Sequence, residues 1–244
     1  MTSTDRPPLV ERTTYAAMYK SETFIVPLLQ QAILRAIDKY APRGKVLDAG
    51  CGGQPFRAVL EKRGCQYFGL DANPTEGVKV DFLCAIDGAL GPEVIQSGPY
   101  DFILCTEVLE HVADWPRAFE NLARLLALGG KLVLTAPHFY FLHEEPYDFF
   151  RPTTHAFAHF AALHHLKVLE IKQLGDAWDI LGTLLSSCRF KAADKSRMSR
   201  ALAWMFWKLR DFCFHRISAG DIRRRVSFSG PTYLSNFVVL ELPA

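Results

Sequence analysis

The sequence predicts an α/β protein built on a doubly wound, mostly parallel sheet, and three observations carry that prediction. Short apolar runs such as Tyr100-Asp101-Phe102-Ile103-Leu104-Cys105 suit strands buried on both faces. Amphipathic stretches alternate with those runs, as βα units require. A glycine turn, Gly50-Cys51-Gly52-Gly53, follows the first run directly, and a backbone without Cβ atoms can take positive φ there and let a ligand approach.

The 244 residues fit one large domain or one domain with an elaboration, and a 49% hydrophobic content supplies a substantial core. The net charge of +2 is unevenly spread. Residues 189–225 hold eleven Lys or Arg against three Asp, a local +8 that leaves −6 for the rest of the chain. An acidic body carrying a basic segment points to an anionic partner for that segment. The six cysteines form no C-x-x-C pair, which argues against a disulfide framework or zinc cluster and for a reducing cytosol. Met1 to Lys20 is polar throughout, without the apolar core of a signal peptide. No apolar run approaches the roughly twenty residues of a spanning helix, so a soluble protein is expected.

Residues up to about Arg12 read as disordered, having little to bury. From Tyr15 to Tyr40, Ile25, Leu28, Leu29, Ala32, Ile33, Ala36 and Ile37 recur at helical spacing, with a break expected at Pro27 and a stop before Pro42. Val46 and Leu47 form the first strand, and Pro55 suits the opening turn of the next helix. Tyr67 to Leu70 is a second strand ending at Asp71, about twenty residues past the glycine turn, where nucleotide sites place a carboxylate for ribose hydroxyls. A turn or cap role beside Asn73-Pro74 is the plainer alternative for Asp71. Val80 to Ala85 is a third strand and Tyr100 to Cys105 a fourth. Asp114 caps a helix with Pro116 in its first turn and Ala118, Phe119, Leu122, Leu125 and Leu126 on its buried face. Gly129-Gly130 is expected to end that helix, with Lys131 to Thr135 the fifth strand.

The segment Ala136 to Arg151 follows a strand's C-terminal end, mixes aromatics with His138, His143, Glu144, Glu145 and Asp148, and is too long for a plain connector. Thr153 or Thr154 then caps a helix to about Leu163, and Lys167 to Lys172 is a sixth strand. Ile180 to Cys188 and Ala201 to Ile217 read as helices, the second rich in Trp and Phe, and Leu234 to Leu242 is the closing strand.

Taken together, VLDAGCGGQPF, YFGLDANP, YDFILCTEVLEHV and LALGGKLVLTAPHF resemble the motifs of class I S-adenosylmethionine-dependent methyltransferases, of the type 11-like kind. The resemblance spans about residues 44–173. The stretch TAPHFYFLHEEPYDFFRPT is similar to a bacterial subgroup associated with cell-surface saccharide or secondary-metabolite synthesis. This resemblance implies a Rossmann-like seven-stranded sheet with an antiparallel last strand, flanked by N-terminal helices and a helical insertion. It also implies site residues. Asp48, Gly50, Cys51 and Gly52 would shape the loop under the cofactor's methionine, Asp71 would hold the ribose and Ala72 would lie on the adenine. The family usually places an acidic residue after the third strand; here Ala85 or Ile86 stands there with Asp87 just beyond, leaving adenine to backbone groups or to Asp87 in a shifted register. Cys105, Thr106 and Glu107 would line the methionine side.

NAD(P) is the competing cofactor, but its G-x-G-x-x-G fingerprint is not present in this loop. For the chemistry, in-line methyl transfer needs alignment, and a hydroxyl acceptor gains from a general base. His143 and Glu144 are the first candidates, followed by His138 and His111. The same polar groups could instead brace their own loop. A divalent ion held by His138, His143, Glu144, Glu145 and Asp148 matches no metal signature, so no metal is expected. The basic aromatic segment 189–225 is open to three readings: a cap packed on the core, a membrane-surface helix on anionic lipid, or a phosphate or RNA grip, nucleic acid being the least expected partner.

The expected organisation is a disordered start and helical cap over residues 1–43, a cofactor-binding core over 44–174 and 231–244, and a basic insertion over 175–230. The expected function is O-methylation of a saccharide or small metabolite in the cytoplasm or at the inner membrane surface. A catalytically silent cofactor-binding protein and an NAD(P)-dependent reductase are the alternatives.

Overall fold

The computed structural model describes residues 15–40, 42–73, 77–228 and 230–243. The stretch through Arg12 that the sequence marks as disordered lies outside them. Among the described residues, seven strands form one sheet in the order β3-β2-β1-β4-β5-β7-β6. They are β1 (Lys45–Ala49), β2 (Gln66–Asp71), β3 (Phe82–Leu83), β4 (Tyr100–Thr106), β5 (Leu126–Pro137), β6 (Lys167–Leu174) and β7 (Ser235–Glu241). Neighbours from β3 to β5 run parallel, and β7 is antiparallel to both β5 and β6. Strand order reverses between β1 and β4, which opens a crevice at their C-terminal ends.

The two faces of the sheet carry separate cores. On one, α4 (Trp115–Leu125) and α5 (Thr154–Leu163) bring Trp115, Phe119 and Phe157 against Leu47, Ile103 and Leu134. On the other, α1 (Ile25–Tyr40), α2 (Arg57–Glu61) and the end of α7 (Arg197–Ser218) cover Val46, Leu104 and Val239 with Ile33, Leu60 and Ile217. Leu47 and Val46 thus face opposite layers, as the two-residue period of a strand demands. The remaining helices are α3 (Pro92–Ser97) and α6 (Ala177–Ser187).

Several boundaries differ from expectation. Pro27 does not break a helix: α1 begins at Ile25, so Pro27 sits in a first turn whose N–H groups have no helical partner anyway. The helix after the glycine turn starts at Arg57 rather than Pro55 and is five residues long. β3 shrinks to two residues because Asp81 pairs with Gly69 partly through its side chain, its Oδ2 accepting the Gly69 N–H at 2.8 Å. Gly129-Gly130 does not cap α4, which ends at Leu125; the pair lies within β5, where Gly129 takes φ +72° and donates to Leu242 O at 2.7 Å. The short helix α3, opened by Gly91-Pro92, escaped the sequence reading.

Candidate active site

A cavity of about 590 Å³ lies at the C-terminal ends of β1, β2 and β4 and is lined by their outgoing loops, by Tyr140 to Glu144, and by Tyr15, Tyr19, Ser21, Glu22 and Ile25 from the N-terminal segment. That volume is within the usual range for a small-molecule site.

The glycine loop is tied down from two sides. Gly50 and Cys51 both donate their N–H to Leu70 O, at 2.7 and 3.1 Å. Gly50 takes φ +76°, and a Cβ there would stand 2.2 Å from Val108 Cγ2, so the loop's glycine and the EVLEHV segment close on each other. Gly52 lines the cavity, and nothing lies within 4 Å of where its Cβ would be. Asp71 takes the turn role: its Oδ2 accepts Gly52 N–H at 2.8 Å and its Oδ1 accepts Asn73 N–H at 2.9 Å, and the residue also lines the cavity. Asp48 is buried and accepts the Tyr67 O–H on Oδ2 at 2.7 Å. Burial, reinforced by the charge of Asp71 and opposed by that hydrogen bond, pushes its carboxyl up to about 7.

Ala72, Ile86, Asp87, Thr106 and Glu107 also line the cavity. The Ile86 turn is held by Asn121, a buried side chain of α4 that donates to Ile86 O at 2.7 Å and Gly88 O at 2.9 Å. Glu107 takes φ +55°, a left-handed backbone that a non-glycine residue adopts at an energetic cost and that clusters at functional sites. Cys105 is a correction. It is fully buried among the core residues and is absent from the cavity wall, because a strand covered on both faces gives every side chain a buried place.

His111 and His143 meet edge to face with ring centroids 4.7 Å apart. His111 Nδ1 lies 2.9 Å from Tyr147 O and His143 Nδ1 lies 3.0 Å from Phe141 O. A carbonyl only accepts, so each Nδ1 carries the proton and each Nε2 is the basic atom. Burial, and then the neighbouring His111, lower the His143 pKa and keep the ring neutral at pH 7. Glu144, at φ +53°, sets its Oε2 3.8 Å from His111 Nε2. His138 is a second correction: its Nδ1 bonds Pro152 O at 3.0 Å and its ring stacks on Tyr233 at 4.2 Å, outside the cavity.

Two functional side chains were missed. Glu110 is fully buried, and no hydrogen-bond donor reaches either carboxylate oxygen among the described residues. Burial and the charge of Glu107 raise its pKa well above the usual range, so it holds its proton. Arg151 clasps the His143 loop, donating to both oxygens of Asp148 at 2.6 Å and to Tyr140 O and Phe141 O, while Asp148 in turn accepts His143 N–H. The five-residue metal grouping is not assembled; instead Glu110, His111 and His143 bring one ligand atom each within 4.8 Å of one another.

The cavity's charge decides between cofactors. Glu22, Asp48, Asp71, Asp87, Glu107, Glu110 and Glu144 line it, with no Lys or Arg among the described lining residues. Opposite charges about 4 Å apart attract by roughly 4 kcal/mol at a protein-like effective dielectric, and like charges repel by as much. A pyrophosphate is disfavoured here, whereas a sulfonium and an ammonium suit the wall. An acid-lined pocket at the switch point of a doubly wound sheet is consistent with the class I methyltransferase type that the sequence motifs resemble.

The family model described as "Methyltransferase domain" matches residues 21–230. The chain belongs to this family. Curated relatives include the ubiquinone biosynthesis O-methyltransferase of Xanthomonas oryzae pv. oryzae, 35% identical over 101 residues, covering 37% of this chain and 42% of that protein. The protein of the same description from Xylella fastidiosa is 33% identical over 103 residues, covering 37% and 41%. The chain thus matches less than half the length of these relatives. Among solved structures, a SAM-dependent methyltransferase from Archaeoglobus fulgidus aligns with a TM-score of 0.54 at 13% identity, over 88% of this chain and 93% of that one. Haemonchus contortus phosphoethanolamine N-methyltransferase 2, in complex with S-adenosyl-L-methionine, aligns at 0.51 and 16% identity, over 88% and 53%. The structural likenesses speak to the fold alone.

Proposed function

We propose that this protein methylates an oxygen of a saccharide or small metabolite in the cytoplasm, with residues 189–225 turned toward the anionic inner face of the membrane. The observation that supports methyl transfer is the cavity wall of seven acidic residues, with no Lys or Arg among the described lining residues, meeting the edge-to-face His111–His143 pair. The name of the curated relatives supports oxygen as the acceptor atom.

When bound, S-adenosylmethionine supplies an electrophilic methyl group on a sulfonium. Asp71 would hold its ribose, Asp48 and the Gly50–Gly52 loop its methionine part, and Ala72 and Ile86 its adenine. Asp87, a cavity-lining residue whose Oδ2 also accepts Asp114 N–H at 3.5 Å, would accept from the adenine amino group. His143 Nε2 takes the proton of the acceptor hydroxyl, and Glu144 orients the His111 ring beside it. The Arg151–Asp148 clasp keeps the loop in register, and Tyr15 and Tyr19 close the cavity from the N-terminal side.

Calorimetry on the purified chain tests the cofactor: heat with S-adenosylmethionine and its demethylated product and none with NADH supports the reading, and the reverse pattern overturns it. Radiolabelled methyl transfer to a panel of hydroxylated acceptors tests the reaction; binding without turnover on every acceptor would favour a silent cofactor-binding protein.

A further inference from the structure

The expectation that the aromatics of the basic segment pack on the core fails for most of them. Phe214 and Ile217 are buried at the end of α7, but Trp204, Phe206, Trp207 and Phe212 are exposed. Met198, Leu202, Met205, Leu209 and Phe212 are exposed as well. Their spacing of four, three, four and three residues sets all five on one helical face. With about 100° of rotation per residue, Arg197, Trp204 and Lys208 fall on one flank of that stripe and Phe206 on the other. Phe206 stacks on Phe190 at 5.6 Å, and Lys208 Nζ lies 5.9 Å from both the Trp204 and Trp207 rings. Among the described residues no helix is long and apolar enough to cross a membrane. The 22 residues of α7 make a rod about 33 Å long with one greasy face, one flank carrying Arg197, Trp204 and Lys208, and the other carrying Phe206.

We propose that α7 lies flat on an anionic lipid surface, its apolar stripe among the acyl chains and its cations at the headgroups. This rests on, and sharpens, the membrane orientation proposed above. Charge selects the occupant. A second copy would set the +8 segment against its own equal, and like charges meeting across an interface are strongly disfavoured. A nucleic acid backbone would meet a stripe whose five central side chains hold no cation. Negative headgroups satisfy the flanks, the bilayer satisfies the stripe, and Trp and Lys are well suited to the boundary between them.

The arrangement also places the cavity. Phe24 meets Phe214 edge to face at 5.8 Å, and a Cβ on Gly182 of α6 would collide with Phe24 at 2.4 Å. No described residue of 175–230 lines the cavity, but Glu22 and Ile25, which flank Phe24, do. A lipid-bound α7 therefore holds the cavity's N-terminal cover near the surface, which suits an amphiphilic acceptor presented from the bilayer.

The test is sedimentation of the full chain with vesicles of phosphatidylcholine alone or with about one third phosphatidylglycerol. Pelleting with the anionic vesicles only, weakened by salt, is expected. Each basic residue near the surface contributes roughly a fivefold factor, so the double variant Arg197→Gln, Lys208→Gln should bind about 25-fold more weakly. Met205→Ser, Leu209→Ser, Phe212→Ser should abolish pelleting while S-adenosylmethionine binding by calorimetry stays unchanged, which separates this proposal from the catalytic reading. Equal pelleting with neutral vesicles, no pelleting with either, or a solution dimer that the Ser triple dissociates would overturn it.

Discussion

Replacing Asp48 with Asn should stabilise the protein and weaken its hold on the cofactor, with both effects appearing only above a definable pH. Burial raises the Asp48 carboxyl from 3.8 to about 7. A raised folded-state pKa makes the neutral form the favoured one, so its stabilising contribution is complete below pH 3.8 and lost as pH rises through about 7. At 1.36 kcal/mol per pKa unit the loss amounts to ~4 kcal/mol by pH 8. Asn cannot ionise, and its Oδ1 can still accept the Tyr67 O–H. The Tm difference between D48N and wild type should therefore grow by roughly 5–15 °C between pH 4 and pH 8, whatever constant offset the amide introduces. A cationic ligand favours ionised Asp48, so binding to wild type should release protons near pH 7 and tighten by up to about tenfold per pH unit below it. Calorimetry in buffers of different ionisation enthalpy measures that release. The ligand's own amino group titrates nearby, but it does so equally in both proteins, and only the difference counts. A Tm difference that ignores pH, together with identical proton release from wild type and D48N, would refute the reasoning.

Three further outcomes follow from the same geometry. His143→Gln should lower kcat by about 10²–10⁴ while leaving cofactor affinity within twofold, and should remove the fall in rate that wild type shows as pH drops below 6.5 and its lowered imidazole protonates; stopped-time assays across pH 5–8 check both. Asp71→Ala removes a charged acceptor from two backbone N–H groups and, in the proposed binding mode, from a ribose, so calorimetry should find cofactor affinity down by roughly 10–100-fold. Gly50→Ala puts a methyl 2.2 Å from Val108 Cγ2 at φ +76° and should cost ~2 kcal/mol or more in urea melts; Gly52→Ala, with open space at its Cβ, should cost about 1 kcal/mol and act mainly on ligand affinity.

The parts of this molecule written in local chemistry were legible. The glycine turn, the strand-end Asp71 and the Asp114 cap, whose side chain accepts Arg117 N–H at 3.0 Å, each declare themselves within a few residues. What eluded the sequence depends on the path of the chain. His138 and His143 are five apart in one loop, yet one stacks on Tyr233 and the other meets His111, and nothing local distinguishes them. Cys105 and Thr106 are adjacent in a doubly covered strand whose period hides which side chain reaches the cavity. Glu110 stood within EVLEHV, but its proton affinity comes from total burial near Glu107. The heptad-like stripe of α7 reads as a buried face until the fold leaves it outside.

Charge is divided in this protein to suit two opposite partners. A cavity walled by seven carboxylic acids would repel itself if all were ionised, and the fold avoids this by keeping Glu110 protonated and Asp48 near the midpoint of its titration at neutral pH. A cation entering beside Asp48 would favour its ionised form. The compensating positive charge is held outside the cavity wall, on the segment containing α7, where water screens it until an anionic surface arrives. Had the eleven basic residues of that segment lined the pocket instead, the sulfonium would be repelled and a phosphate-bearing nucleotide favoured. On the proposed function, the separation of the two signs, more than any single glycine, is what would suit this Rossmann-like crevice to a sulfonium.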